Sequence, residues 1–240
     1  MHRDPRKPPE YFVKHSRRRS DAPIIEGVVV DADGKILDSG LHLHRIFRTE
    51  LELLIAAYSA GASADELRAR YPRVIEALGA HQRVSGPRSH EFQRFDAYIQ
   101  GLWLVALAIL LDIDDAGLKA AIIQIKNGAQ DALFDRLLAL RMPDRAKTTK
   151  LLYPKPYKPL YEALDAPVEA KPALVAKFLK NYYNGMAPAY WQGSHDDGDV
   201  EDDDRGYFGY WCFELAAFAK CGVLDDTSFR DHEMYPRDLV

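Results

Sequence analysis

The arrangement in this sequence with most chemical potential is a histidine followed at once by acids. His195 precedes Asp196, Asp197, Asp199, Glu201, Asp202, Asp203 and Asp204, seven acids with no lysine or arginine among them. Carboxylates beside an imidazole can hold a hard divalent cation, and a metal held there could drive a hydrolysis. The segment lacks the ordered Asp-x-Asp-x-Asp-Gly…Glu ladder of a calcium loop, so a specific metal site is not expected. The other use of gathered like charge is recognition. An acidic segment speeds encounter with a basic partner and complements its potential, and both effects weaken with salt.

The remaining chemistry-bearing residues are sparse. The other histidines, at positions 2, 15, 42, 44, 81, 90 and 232, make neither HExxH nor another ligand spacing, and there is no CxxC. Neither GxSxG nor a phosphate-binding glycine loop is present. Glu214 lies in the most apolar stretch, between Trp211 and Phe218, where a raised pKa is conceivable. A buried glutamate in such a place more often satisfies a partner, and Arg230 and Arg237 are the expected ones. Cys212 and Cys221, with no adjacent histidine, read as inert buried thiols. Nine residues apart on one helix they would stand roughly 13 Å distant, too far for a disulfide. No catalytic residue, no metal ligand and no cofactor is therefore assigned.

The elements that must position these residues are helical. The chain has 240 residues, 47% hydrophobic and 28% charged, with a net charge of −4, the profile of an ordinary globular protein. From Leu41 a three-to-four residue period sets in through Leu43, Phe47, Leu51, Leu54 and Tyr58. Ser63-Ala64-Asp65-Glu66 is a capping box that opens the next helix, with Pro72 expected to interrupt or restart it near Arg70 and Val74, Ile75 and Leu78 continuing an apolar face. Phe92 to Leu111 is a core helix, its apolar part too short for the ~20 residues that cross a bilayer. A final large helix is expected from Tyr207 to about Cys221. A short β-hairpin near residues 24–37 fits the β-branched residues around Asp31-Ala32-Asp33-Gly34.

Charge and proline divide the chain. Residues 1–22 carry Arg17-Arg18-Arg19 and read as a basic, flexible arm, the sole candidate for a nucleic-acid contact. Pro143, Pro154, Pro156 and Pro159 mark a junction between a unit at 23–145 and a unit at 146–240. The expected fold is all-α, two packed antiparallel helical units. Cysteine usage and the want of an apolar stretch after the basic start point to the cytoplasm, with no membrane partner. Oligomeric state is left open.

The C-terminal unit carries more specific patterns. Phe178-Leu179-Lys180-Asn181-Tyr182-Tyr183, Tyr190-Trp191, the run Tyr207-Phe208-Gly209-Tyr210-Trp211-Cys212-Phe213-Glu214, Leu224-Asp225-Asp226-Thr227-Ser228-Phe229-Arg230-Asp231 and Tyr235-Pro236-Arg237-Asp238 resemble the PoNi family of immunity proteins. Ala57-Tyr58-Ser59-Ala60-Gly61 resembles that family's smaller N-terminal domain. The resemblance implies an all-helical, non-enzymatic protein that binds and neutralises a cognate PoNe-type DNase toxin. Such toxins pass between competing bacteria through secretion systems, often type VI. A DNA-cutting toxin needs a basic surface, so the charge of Asp196, Asp197, Asp199, Glu201, Asp202, Asp203 and Asp204 makes them the expected partner-binding residues, while Trp211, Glu214, Asp225, Asp226, Arg230 and Asp238 are expected to hold the scaffold, and no nucleic-acid partner is expected. A metal-dependent hydrolase built on His195 and a nucleic-acid-binding module using the arm stay open beside it.

Overall fold

The computed structural model describes residues 2–19, 29–30, 36–37, 39–86, 91–125, 131–144, 148–196 and 206–240. Its described helices are α1 Pro9–Arg19, α2 Ser39–Ala60, α3 Ala64–Ser85, α4 Phe95–Leu110, α5 Asp115–Gln124, α6 Ala132–Leu138, α7 Pro154–Asp165, α8 Lys171–Gly185 and α9 Phe213–Lys220. A two-residue antiparallel ladder, β1 Val29–Val30 with β2 Ile36–Leu37, pairs Val29 with Leu37 where the hairpin is expected. The fold is all-α. Among the described residues, no helix is long and apolar enough to cross a membrane.

The chain forms two compact units, each assembled from three segments. One comprises Met1–Glu91, Lys119–Asn127 and Gly193–Gly209; the other comprises Phe92–Leu118, Gly128–Gln192 and Tyr210–Val240. This division in space does not follow the linear cut at residue 145.

In the first unit α2 and α3 form an antiparallel pair. Arg73 on α3 meets Glu50 on α2 at 2.8 Å, and the Nδ1 of His81 lies 3.0 Å from the Gly40 carbonyl. The capping box holds as expected: the Ser63 hydroxyl accepts from the Glu66 N–H, and the Glu66 carboxylate accepts from the Ser63 N–H at 2.7 Å. Pro72, however, does not stop the helix. It sits exposed inside an unbroken α3, where Leu67, Tyr71, Val74, Ile75 and Leu78 bury one face against α2. Packing of that stripe outweighs the one hydrogen bond the proline removes. The N-terminal segment also departs from expectation. Much of the supposed flexible arm is α1, which packs on α2 with Phe12 only 1% exposed.

In the second unit α4 is the central rod, buried at every position from Ala97 to Leu110. Its C-terminal end is met by Lys220, whose Nζ donates to the Leu110 carbonyl at 2.7 Å and pairs with Asp112 at 2.8 Å. A cation there satisfies a carbonyl left orphaned by the helix end. Trp103 of α4 lies 5.7 Å from Trp191 and 6.5 Å from Phe213, ring to ring. The stack continues from Trp191 to Tyr210 at 5.2 Å and from Tyr210 to Tyr183 at 5.1 Å. Helices α7 and α8 pack as a hairpin, and α9 lies on α4.

The proline-rich stretch is interior to this unit, and two aspartates explain why. Asp131 accepts from the Leu152 N–H at 2.8 Å, and Asp135 accepts from the Thr148 N–H at 3.0 Å. Both tie residues 148–152 to α6. Pro154 then occupies the first turn of α7, where a missing N–H has nothing to donate to.

Candidate functional site

The acids expected to meet a partner fall mostly outside the described residues: Asp197, Asp199, Glu201, Asp202, Asp203 and Asp204 lie there. Asp196 is described. It is exposed, its N–H donates to the Gly193 carbonyl at 3.0 Å, and its carboxylate stands 3.4 Å from the His195 ring. What the structure shows of this region is therefore its two ends, residues 193–196 and 206–209.

Both ends are held in the first unit. At the far end Gly206, Tyr207, Phe208 and Gly209 are all buried. They are not the start of a helix, as their aromatic spacing suggests, but an irregular run that reaches α9 only at Phe213. Gly209 has φ 118°, a conformation closed to residues with a Cβ, and this breaks any helix through the run. A Cβ at Gly206 would collide with the His15 ring.

The partners of Tyr207 come from the N-terminal segment. The Tyr207 N–H donates to the Tyr11 hydroxyl at 2.7 Å, and the Tyr207 hydroxyl donates to the Asp4 carboxylate. Burial and the Asp4 charge both push the Tyr207 pKa far up, so the phenol keeps its proton and remains a donor. Asp4 is itself 0% exposed and also accepts from the Arg6 N–H at 2.9 Å. One residue on, the Ser59 hydroxyl of α2 donates to the Phe208 carbonyl at 2.7 Å. Arg3 reaches the end of α2, donating to the Tyr58 and Ala62 carbonyls at 2.8 Å each while lying over the Tyr58 ring. At the near end the His195 ring faces the Tyr207 ring at 6.3 Å.

Sequence reading missed Asp4, Tyr11 and His15. A signal was available: Pro8-Pro9-Glu10 is a helix start, and Tyr11 and His15 share one face at i, i+4.

The second unit holds the other candidate, Glu214. Its carboxyl is 0% exposed on α9, and among the described residues neither oxygen has a hydrogen-bond partner. Arg230 and Arg237, the expected partners, are engaged elsewhere: Arg230 pairs with Asp226, and Arg237 with Asp231 at 2.6 Å. Burial pushes the Glu214 pKa up to about 7. Its own N–H, the Tyr157 hydroxyl and the Cys212 thiol favour the charged form, but none is placed to form a full hydrogen bond. Burial, with the Glu214 charge behind it, drives the Tyr157, Tyr182 and Cys212 pKa values up in turn. Below about pH 7 the Glu214 carboxyl keeps its proton beside these neutral hydroxyl and thiol groups.

The other residues given structural roles make local contacts. Trp211 is buried, and its carbonyl accepts from the Tyr182 hydroxyl at 3.2 Å. Asp225 accepts from the Thr227 hydroxyl and, at 2.8 Å, from the Thr227 N–H, and these bonds hold its pKa below the usual carboxylate range. Asp226 accepts from Arg230 and, at 3.1 Å, from the Tyr235 hydroxyl. Asp238 lies exposed on a short 3-10 turn, Arg237–Leu239. The cysteines differ from each other: Cys212 is buried at the start of α9, whereas Cys221 is exposed just beyond its end. Among the described residues no group of three or more His, Cys, Asp or Glu is disposed to hold a metal.

Comparison with known proteins gives two family matches. Residues 39–123 match "PoNe immunity protein (PoNi), N-terminal". Residues 129–239 match "PoNe immunity proteins (PoNi), C-terminal". The two occur in that order. No curated protein matches the chain. Among solved structures, the crystal structure of protein PA2201 from Pseudomonas aeruginosa is similar, with a TM-score of 0.66 and 18% identity. The similarity covers 100% of this chain and 90% of that one, and at this identity it is a likeness of fold.

Proposed function

The chain belongs to the PoNe immunity protein (PoNi) family, and on that premise we propose that it neutralises a cognate nuclease toxin by stoichiometric binding. An immunity role is what the family carries; the finer reading is that the toxin is a DNase and that the acidic segment from Asp196 to Asp204 meets it. A protein that cuts DNA must present cations to the phosphate backbone. A run of seven acids between His195 and Arg205 offers that surface a substitute for its substrate's charge. Charge of this kind raises association rates by roughly 10–10³-fold at low salt. The binding requires no catalysis by the immunity protein, and a toxin that acts on chromosomal DNA has to be met in the cytoplasm.

The observation that carries the reading is the pair of family matches, N-terminal then C-terminal, over most of the chain. The test is co-expression with the protein encoded by the adjacent gene. Rescue of growth and co-purification at one-to-one stoichiometry are expected; continued toxicity with no complex would sink the proposal.

A second measurement addresses the surface. Replacing Asp202, Asp203 and Asp204 together with asparagine should slow association about tenfold at low ionic strength, and the deficit should shrink as salt screens the remaining charge. Association kinetics that match the wild type across the salt series would remove the segment from the interface.

A further inference from the structure

We propose that Glu214 is a proton-operated latch on the α7–α8 hairpin: the protonated carboxyl lets the hairpin close on α9, and loss of the proton loosens it. All the residues involved belong to the second unit, and the latch does not depend on how the acidic segment is read.

The hairpin is loosely tied to the rest of its unit. α7 and α8 pack chiefly on each other. Neither has a side-chain N-cap, and Pro159 inside α7 lacks the N–H that would reach the Lys155 carbonyl. On either side of Glu214 in the chain, α8 is joined to the α9 segment by a polar contact. The Tyr182 hydroxyl donates to the Trp211 carbonyl at 3.2 Å, and the Lys171 Nζ donates to the Val223 carbonyl at 2.9 Å. Between these points Glu214 is wholly buried. Among the described residues, neither its oxygens nor the Tyr157 hydroxyl of α7 has a hydrogen-bond partner. The Tyr157 ring lies 6.0 Å from Phe178 of α8, so a change at Tyr157 is felt by both helices of the hairpin.

A neutral carboxyl is tolerated in such a place, whereas a charged one without full donors is costly. The elements packed around it do not relieve that cost. α4 brings Tyr98, α7 Tyr157, α8 Tyr182 and the start of α9 Cys212, all with raised pKa values. α6 brings two acids: Asp131, which accepts from Tyr98, and Asp135, which accepts from the Thr148 N–H. The turn at 237–239 brings Asp238 and Arg237, the latter paired with Asp231. Lys220, at the far end of α9, is taken by the Leu110 carbonyl and Asp112. Burial is the largest influence on the Glu214 proton and raises its pKa from 4.5 to about 7, against the opposing pull of its own N–H, Tyr157 and Cys212. The proton therefore leaves more readily with the hairpin open than closed. Opening grows easier as pH rises from the first value and levels off past the second.

The test is amide exchange in the full chain, corrected for the intrinsic rise of exchange with pH, at Leu160 and Leu179 in the hairpin and Leu104 in α4. In the wild type the two hairpin amides should be less protected than Leu104 and depend less on urea, as in a local opening. Their protection should fall about thirtyfold between pH 5 and pH 7 and then level off. Glu214→Gln should abolish that fall. Equal protection and equal urea dependence at all three amides would mean that only global unfolding responds, and the latch is overturned. A fall that persists in Glu214→Gln overturns it as well. Should Glu214→Gln fail to fold, Tyr157→Phe carries the test. Deleting a hydroxyl that favours the charged form should move the levelling-off to higher pH, and an unmoved profile overturns the latch.

Discussion

Raising the pH from about 4.5 to 7 is expected to remove about 3 kcal/mol of unfolding free energy through Glu214 alone. Its folded pKa, about 7, stands above the model value of 4.5. In that window the folded state keeps the Glu214 proton and the unfolded state has released it. Stability from this group is fully present below the unfolded value, falls as pH rises, and levels off once the folded pKa is passed. The groups facing it from α4, α7, α8 and the start of α9 are Tyr98, Tyr157, Tyr182 and Cys212, all with raised pKa values and therefore neutral throughout. Glu214→Gln keeps the shape and removes the titration. The difference in urea stability between wild type and variant should change by about 3 kcal/mol between pH 5 and pH 8, in favour of the variant at the alkaline end. Parallel curves would show that the carboxyl finds a partner on ionising.

The second large effect is expected at Asp131. This 0% exposed carboxylate caps α6 through the Phe134 N–H at 2.9 Å, accepts from the Tyr98 hydroxyl at 3.0 Å, and holds the Leu152 N–H. Burial nevertheless prevails over these donors and pushes its pKa up. Asp131→Ala abandons three donors at once, two of them backbone N–H groups. A cap is worth about 1 kcal/mol and each stranded donor about 1–3, so a loss of about 3 kcal/mol is expected. Tyr98→Phe removes one of the three bonds together with its donor and should cost about 1 kcal/mol. Denaturant midpoints of the two variants check the ratio; similar losses from both would mean that the tyrosine, not the cap, carries the site.

These sites show which signals a sequence transmits. The Ser63–Glu66 box, the buried α4 and the all-helical fold were legible because each rests on local chemistry or an unbroken period. The family patterns around Tyr182, Trp191, Trp211 and Asp226 were legible as short strings of specific residues. What failed was non-local. Tyr207 to Trp211 has the aromatic spacing of a helix face, and an irregular buried run shows the same spacing; only Gly209 distinguishes them. The polar start of the chain reads as solvated until Tyr207 supplies the partner for Asp4, and that pair is separated by 203 residues. Arg230 was a reasonable partner for Glu214 by composition, but Asp226 stands four residues before it on the same turn and takes it first. The proline-rich stretch looked like a linker because the two aspartates that tie it down precede it and act through backbone N–H groups.

The meeting of Asp4 and Tyr11 with Tyr207 also sets an order on folding. On the ribosome the N-terminal segment emerges early, yet its main partner is made some two hundred residues later, long after α2 and α3 have had time to pair. Closing so long a loop is entropically expensive, and contacts of this separation form late. The first unit is thus completed only when Gly193–Gly209 arrives, after most of the second unit has been synthesised. Until then the bonds of Asp4, Tyr11 and Ser59 to Tyr207 and Phe208 cannot form, and the N-terminal segment takes its final place late.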